Sequence, residues 1–176
     1  MRGAEEADAA LYCELYGDPG TMRFVGPPLS PERARRRFHQ VLASLGRHPI
    51  ERVLLVIVEK ATLQSIGIGA FQDFDTRRRR VEAGMMLRSE ARGRGFGTEG
   101  LRGLVDFAFA TFEVDEVWIQ HAPDNMEARR VPDRLGLSHN RDGESGKLTW
   151  SAQRHSWPAV RSVGGLHRNA IDAKRN

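Results

Sequence analysis

Residues 81–112 read VEAGMMLRSEARGRGFGTEGLRGLVDFAFATF, and this stretch constrains the fold more than any other. An apolar strand over 81–87 runs into a polar turn carrying Gly93, Gly95 and Gly97, and an amphipathic helix follows. The first N–H groups of a helix have no intrahelical partner and lie at the positive end of its dipole, and glycine lets a ligand approach the backbone closely. With Arg92 and Arg94 beside them, the N–H groups of residues 93–98 make a cradle for phosphate.

The rest of the chain is sized for one domain. At 176 residues and 40% hydrophobic it can bury a single core and is short for two. Residues 1–157 hold the apolar periodicity; from there it fades, and Arg161, Arg168, Lys174 and Arg175 against Asp172 make 158–176 a basic, flexible tail. The formal net charge of +4 suits an anionic ligand or acidic partner without requiring one. Cys13 is the only cysteine, which excludes an intramolecular disulfide and a multi-cysteine metal site and fits a reducing compartment. No apolar run nears the roughly 20 residues that cross a bilayer, and the opening MRGAEEADAA lacks a signal-peptide core. The expected location is cytoplasmic, with no membrane partner.

Upstream of the cradle, residues 4–17 have helical apolar spacing and Gly17-Asp18-Pro19-Gly20 stops it. Cys13 lies inside this helix as a structural thiol, with no cation or histidine at i±4 to activate it. Ser30 before Pro31 is an N-cap signal for a second helix over 31–45, whose Arg33, Arg35, Arg36 and Arg37 form a solvated basic face. Residues 51–59 and 65–74 are strands joined by a short connection, hence an antiparallel hairpin. Four arginines at 77–80 invite a nucleic-acid reading, but no aromatic residues interleave them for base stacking, so a solvated hairpin loop is favoured. Downstream come a strand over 116–121, a short helix over 124–136 that Pro132 kinks or shortens, a last strand over 147–153, and Trp157 sealing the core. The sum is an α+β domain with one long helix crossing a mostly antiparallel sheet.

Three phosphate motifs compete for the turn. A P-loop fails because no Gly-Lys-Ser/Thr follows the glycines. The dinucleotide pattern G-x-G-x-x-G is present as Gly95-Phe96-Gly97-Thr98-Glu99-Gly100, yet residues 88–94 separate it from the strand and the upstream strands lack crossover helices. The third, Arg/Gln-x-x-Gly-x-Gly/Ala, is met by Arg92-Gly93-Arg94-Gly95-Phe96-Gly97. Here the sequence resembles the GNAT superfamily of acetyl-CoA-dependent N-acetyltransferases, and within it the ribosomal-protein amino-terminal (Rim-type) branch. The resemblance extends through YGDPGTMRFVG, PDNMEARRVPDRLGL and the terminal strand near Trp157.

The resemblance implies a mixed, mostly antiparallel sheet flanked by about four helices. That branch has a strand before its first helix, so the first strand is expected to be missing or displaced here. It also implies acetyl-CoA as co-substrate and transfer to a primary amine on a protein, a peptide or a small molecule such as a polyamine or antibiotic. Homodimers are common among such relatives. Arg92, Gly93, Arg94, Gly95, Phe96, Gly97 and Thr98 would hold the pyrophosphate. The strand at Met85, Met86 and Leu87 would splay from its neighbour to admit pantetheine, with an N–H near Met86 or Leu87 polarising the thioester. Asn125 and Arg130 match an Asn-x-x-Ser-x-Arg pattern of cofactor contacts, with Ala128 at the serine position. The serine hydroxyl that helps protonate the departing thiolate in relatives is therefore replaced, and no tyrosine stands nearby. The thiolate leaves without a dedicated acid, or His121 or a water serves. Glu82 is the first choice of base, with an ion pair to an arginine of 77–80 as its bland alternative. His121 is the second choice, with a structural role as its alternative. The six histidines share no metal-ligand spacing, so no metal is expected. A non-catalytic acyl-CoA-binding module is the rival from another class, motivated by Ala128.

Overall fold

The computed structural model describes residues 1–140 and 146–158; the expected basic tail beyond Pro158 lies outside the described residues. In chain order the elements are β1 (Arg2–Gly3), a single 3-10 turn (Glu6–Asp8), α1 (Ala9–Gly17), α2 (Pro19–Met22), α3 (Pro31–Ser44), β2 (Val53–Val58) and β3 (Ser65–Asp75). There follow β4 (Arg80–Leu87), a 3-10 turn (Ser89–Ala91), α4 (Phe96–Thr111), β5 (Glu116–His121), α5 (Met126–Leu135), β6 (Ser138–Asn140) and β7 (Leu148–Gln153). The sheet order is β1-β2-β3-β4-β5-β7-β6. Every pairing is antiparallel except β4 with β5, the one junction where a helix, α4, makes the crossover that a parallel pair requires.

Strand alternation divides the core into two. Leu55, Phe71, Val81, Ala83, Val117, Ile119 and Trp150 pack under α4. Leu54, Val56 and Ile68 face the other way, against Leu11, Tyr12, Leu15, Phe38 and Val41 of α1 and α3. Gly69 lets α4 come close: a Cβ there would lie 2.8 Å from Leu104, which is fully buried. Behind α4, Arg154 donates to the carbonyls of Phe109 and Phe112 at the helix end and of Val114 just beyond it, and Trp157 Nε1 donates to Asp106 at 2.7 Å, sealing the core edge as expected.

Several expectations are corrected. The first strand is neither missing nor displaced: Arg2–Gly3 pairs with Val56 and Leu55 at the sheet edge. Sequence periodicity overlooked it because two residues carry no alternation. It is fixed by Arg2, whose guanidinium donates twice at 2.7 Å to the buried Asp8 carboxylate. That carboxylate also accepts from Glu5 N–H, which makes 6–8 a separate turn and delays α1 to Ala9. Five α-helices occur among the described residues rather than about four, because Asp18 caps a further short turn, accepting from Thr21 N–H at 2.6 Å. Strand β6 is an element that the sequence did not announce between the helix expected over 124–136 and the last strand, and residues 141–145 lie outside the described residues. Around the arginine run, Arg79 pairs with Asp115 at 2.6 Å, and Arg78 and Arg80 approach Asp75, so these cations close a hairpin.

Candidate active site

β4 and β5 are paired only at Arg80↔Glu116, Val81↔Val117 and Glu82↔Trp118. Beyond Glu82 the two strands part, leaving a fork whose walls are 83–87 and 119–121. The hydrogen-bond pattern decides what lines it. Arg88 N–H donates to Ile66 O, and Ile68 stands opposite Met86, so residues 82, 84, 86 and 88 spend their backbone groups on β3. The N–H groups of Met85 and Leu87 therefore point into the fork; of the two expected oxyanion donors, Leu87 faces the gap and Met86 does not.

The cradle stands at the open end of this fork. Gly93 and Gly95 adopt left-handed φ values of 73° and 90°, conformations that favour glycine and turn successive N–H groups to one side. The N–H groups of residues 93–97 donate to no backbone carbonyl among the described residues, whereas Thr98 and Glu99 both donate to Gly95 O. Five consecutive free donors thus remain at the start of a 16-residue helix, and Thr98 drops out of the free set. A Cβ on Gly97 would meet only Val131 at 3.5 Å, so that glycine keeps the approach clear rather than satisfying a packing need. The arginines are otherwise engaged. Arg92 donates to Leu87 O and, at 2.6 Å, to Thr21 Oγ1, tying α2 to the end of β4. Arg94 pairs with the buried Glu59 at 2.7 Å and lies over the Phe96 ring.

Glu82 sits where the fork opens, on the α1/α3 side of the sheet. It is buried at 7% exposure and accepts from Gln72 Nε2 at 3.1 Å and Gln120 Nε2 at 3.0 Å, one donor from each neighbouring strand. No arginine of 77–80 pairs with it among the described residues, so the bland alternative does not hold. Burial raises the carboxyl pKa, the two amides lower it, and Asp73 raises it again, leaving it above the ordinary glutamate value. Beside it Gly84 is exposed with nothing near its Cβ position, and Trp118 Nε1 is a buried donor without a partner. This is a polar recess with an open entrance.

His121 is on the opposite face. Val117, Ile119 and His121 alternate inward beneath α4, and the imidazole stacks on Trp150 at 4.5 Å. Nδ1 lies 2.8 Å from Ala122 O and therefore carries a proton, which leaves Nε2 buried and unpartnered. The fold does not bring Glu82 and His121 together; the sheet separates them, one on each side of the fork. Asn125 caps α5, its Oδ1 accepting from Ala128 N–H at 3.1 Å, while Arg130 is exposed on the same helix. Pro132 lies inside α5 without ending it; Gly136, at φ 69°, does so. Among the described residues no group of three or more histidine, cysteine or acidic side chains could hold a metal ion, and no helix is long and apolar enough to cross a membrane. Gln72, Gln120 and Asp73 were missed in the sequence because only strand register makes them neighbours of Glu82.

The acetyltransferase (GNAT) domain family matches residues 1–138. An uncharacterized N-acetyltransferase, p20, of Bacillus licheniformis is 24% identical over 151 residues, covering 84% of each chain. Spermidine N-acetyltransferase of Vibrio cholerae, solved with CoA and spermine, superposes with a TM-score of 0.74 at 14% identity, covering 88% of this chain and 94% of that one. RimL, the ribosomal L7/L12 alpha-N-protein acetyltransferase solved with CoA, gives 0.71 at 14% identity, covering 86% and 92%. With the family match spanning more than three quarters of its length, and with the glycine turn read from the sequence and the forked sheet that the resemblance implied, the chain belongs to the GNAT family of acetyl-CoA-dependent N-acetyltransferases.

Proposed function

We propose that this acetyltransferase works by direct attack of a primary amine in a ternary complex, with Glu82 as the proton acceptor. The observation that carries the reading is the buried Glu82 clamp at the mouth of the fork, a few residues along β4 from the N–H groups that point into it. Acetyl-CoA supplies the acyl group as a thioester. The N–H groups of residues 93–97 neutralise its pyrophosphate, with Asn125 and Arg130 of α5 flanking the cofactor. Leu87 N–H polarises the thioester carbonyl, a type of donor whose removal typically costs about 2.7–4 kcal/mol of barrier. Glu82, directly or through one water, takes the proton that the amine loses as its C–N bond forms and the C–S bond breaks. His121 Nε2, when protonated, or a water returns a proton to the thiolate from the other face.

Arg92 and Arg94 enter this reading as supports of the cradle. The acceptor is a protein or peptide N-terminus or a small amine such as a polyamine or antibiotic. A homodimer in the cytoplasm belongs to the same reading, and size-exclusion chromatography with light scattering tests the dimer. The central test is thiol release from acetyl-CoA against a panel of peptides and small amines. Turnover on at least one amine is expected; binding of acetyl-CoA with turnover on none would instead favour a non-catalytic acyl-CoA-binding module, the outcome that Ala128 would explain.

A further inference from the structure

Glu59 is a buried carboxylate that this mechanism leaves unused, and it is bonded to the middle of an anion cradle. At 9% exposure it follows β2, at the start of the turn over 59–64 that leads into β3. The turn is tightly closed: Glu59 N–H donates to Gln64 O, Leu63 N–H donates to Glu59 O, and Leu63 takes φ 59°. Inside it Thr62 Oγ1 donates to Glu59 Oε2 at 2.8 Å, which aims the carboxylate. Its other oxygen, Oε1, accepts from Arg94 Nη2 at 2.7 Å, although the two residues are 35 positions apart in the chain.

Arg94 is the residue between the two left-handed glycines, Gly93 and Gly95. Nothing lies within 4 Å of where a Cβ would stand on either glycine, so packing does not hold them. Nor do the N–H groups of residues 93–97, which donate to no backbone carbonyl among the described residues. What ties the turn down is the Arg94 side chain, which lies over the Phe96 ring and ends on Glu59. Glycine loses more backbone freedom on ordering than any other residue, so an untethered turn of this composition would sample many conformations. A buried ion pair is a weak source of stability, because desolvation offsets its attraction; its better use is to specify one geometry.

We propose that Glu59 is a positioning residue of the cofactor site: by anchoring Arg94 it holds the glycine turn with its N–H groups presented before acetyl-CoA arrives. This rests on the reading of residues 93–97 as the pyrophosphate cradle. The same bond removes a charge conflict, since a carboxylate one guanidinium away from the cradle would repel a pyrophosphate if Arg94 did not cancel it. Arg94 thus acts through Glu59 and not as a ligand of phosphate. A ligand that meets an unheld turn binds only the fraction in the competent shape, and its apparent affinity falls by that fraction.

The two roles open to Arg94 predict opposite signs. As an anchor, it requires Glu59, and Glu59→Ala should weaken acetyl-CoA binding about tenfold in Kd by calorimetry. Were Glu59 instead withholding Arg94 from phosphate, Glu59→Ala would free the guanidinium and tighten binding. Arg94 is half-exposed, so water solvates it when its partner is removed and the variant should fold. Thr62→Val keeps the ion pair and removes the bond that aims it, for a smaller loss of about threefold. Adding Arg94→Met to Glu59→Ala should change Kd by less than about twofold, because the arginine has no anchor left to use. With an accepted amine, KM for acetyl-CoA should rise in step with Kd while kcat at saturation holds; a merely structural role would lower Tm and leave both constants unmoved. Wild-type or tighter affinity in Glu59→Ala overturns the proposal, as does a further loss of about tenfold from Arg94→Met in that background. Gly97→Glu tells this failure from that of the cradle. If it binds acetyl-CoA like the wild type, cradle and proposal fall together; if it loses binding while Glu59→Ala keeps wild-type affinity, the proposal falls alone.

Discussion

The two halves of the fork are built from different material. The cradle over 92–98 is main chain: two left-handed glycines and five free N–H groups, contiguous in sequence. The recess around Glu82 is side chain: Gln72, Glu82 and Gln120 from three strands, the first and last of them 48 positions apart (120 − 72). A main-chain site recognises what every acyl-CoA shares, while a side-chain site is free to vary with the acceptor. The difference also predicts how each half fails, since a backbone site is blocked and a side-chain site is neutralised.

The largest expected effect comes from neutralising the recess. Glu82→Gln should lower kcat by about 10²–10⁴-fold with acetyl-CoA affinity unchanged, the range for losing a general base. A parallel loss of cofactor affinity, read by calorimetry, would break the division between the halves. Next, Gly97→Glu blocks the cradle. A like charge beside the pyrophosphate should weaken acetyl-CoA binding by about 2–4 kcal/mol, on the order of a hundredfold. Its Tm should hold, because a Cβ there meets Val131 at ordinary contact distance. Micromolar binding retained by that variant would remove the pyrophosphate from this turn.

A smaller effect sharpens the position of the entrance. Gly84→Phe should fold normally, since a Cβ there has open space, and should raise KM for the amine about tenfold while leaving KM for acetyl-CoA alone. Unchanged amine kinetics would place the acceptor elsewhere. The smallest concerns neither half. Burial raises the Asp8 carboxyl, but the Arg2 guanidinium and Glu5 N–H outweigh it and hold the pKa below the usual aspartate value. A lowered folded pKa gives stability that is present above the unfolded value of about 3.9 and is lost as pH falls through the folded one. Asp8→Asn should therefore cost about 1 kcal/mol at pH 7, with the half-exposed Arg2 limiting it, and nothing at low pH. Glu82 has the opposite sign: its raised pKa makes stability fall as pH rises from about 4.3 towards the folded value, so Glu82→Gln should be relatively more stable at neutral pH.

Legibility followed sequence distance. Helix α3 was foreseen to within a residue, because Ser30, Pro31 and an apolar stripe are local signals. So was β5, which alternates cleanly. Strand β1 was not, since two residues carry no period and only the Arg2–Asp8 pair and the β2 edge hold them. Arg92 and Arg94 show the limit of reading charge from composition: adjacency to the glycines suggested phosphate contacts, yet Thr21, Leu87 O and Glu59, all distant in sequence except Leu87, engage them.

By itself, then, the sequence determined the cradle, because glycine φ freedom and free N–H groups at a helix start are properties of a few consecutive residues. It also determined that a strand must feed it and that Glu82 lies on that strand. Only the tertiary structure decided that β4 and β5 part just past Glu82, that Leu87 N–H rather than Met86 N–H faces the gap, and that the sheet stands between Glu82 and His121. Those outcomes depend on register, a relation between strands far apart in the chain, and one residue of slip would have sent every side chain to the other face.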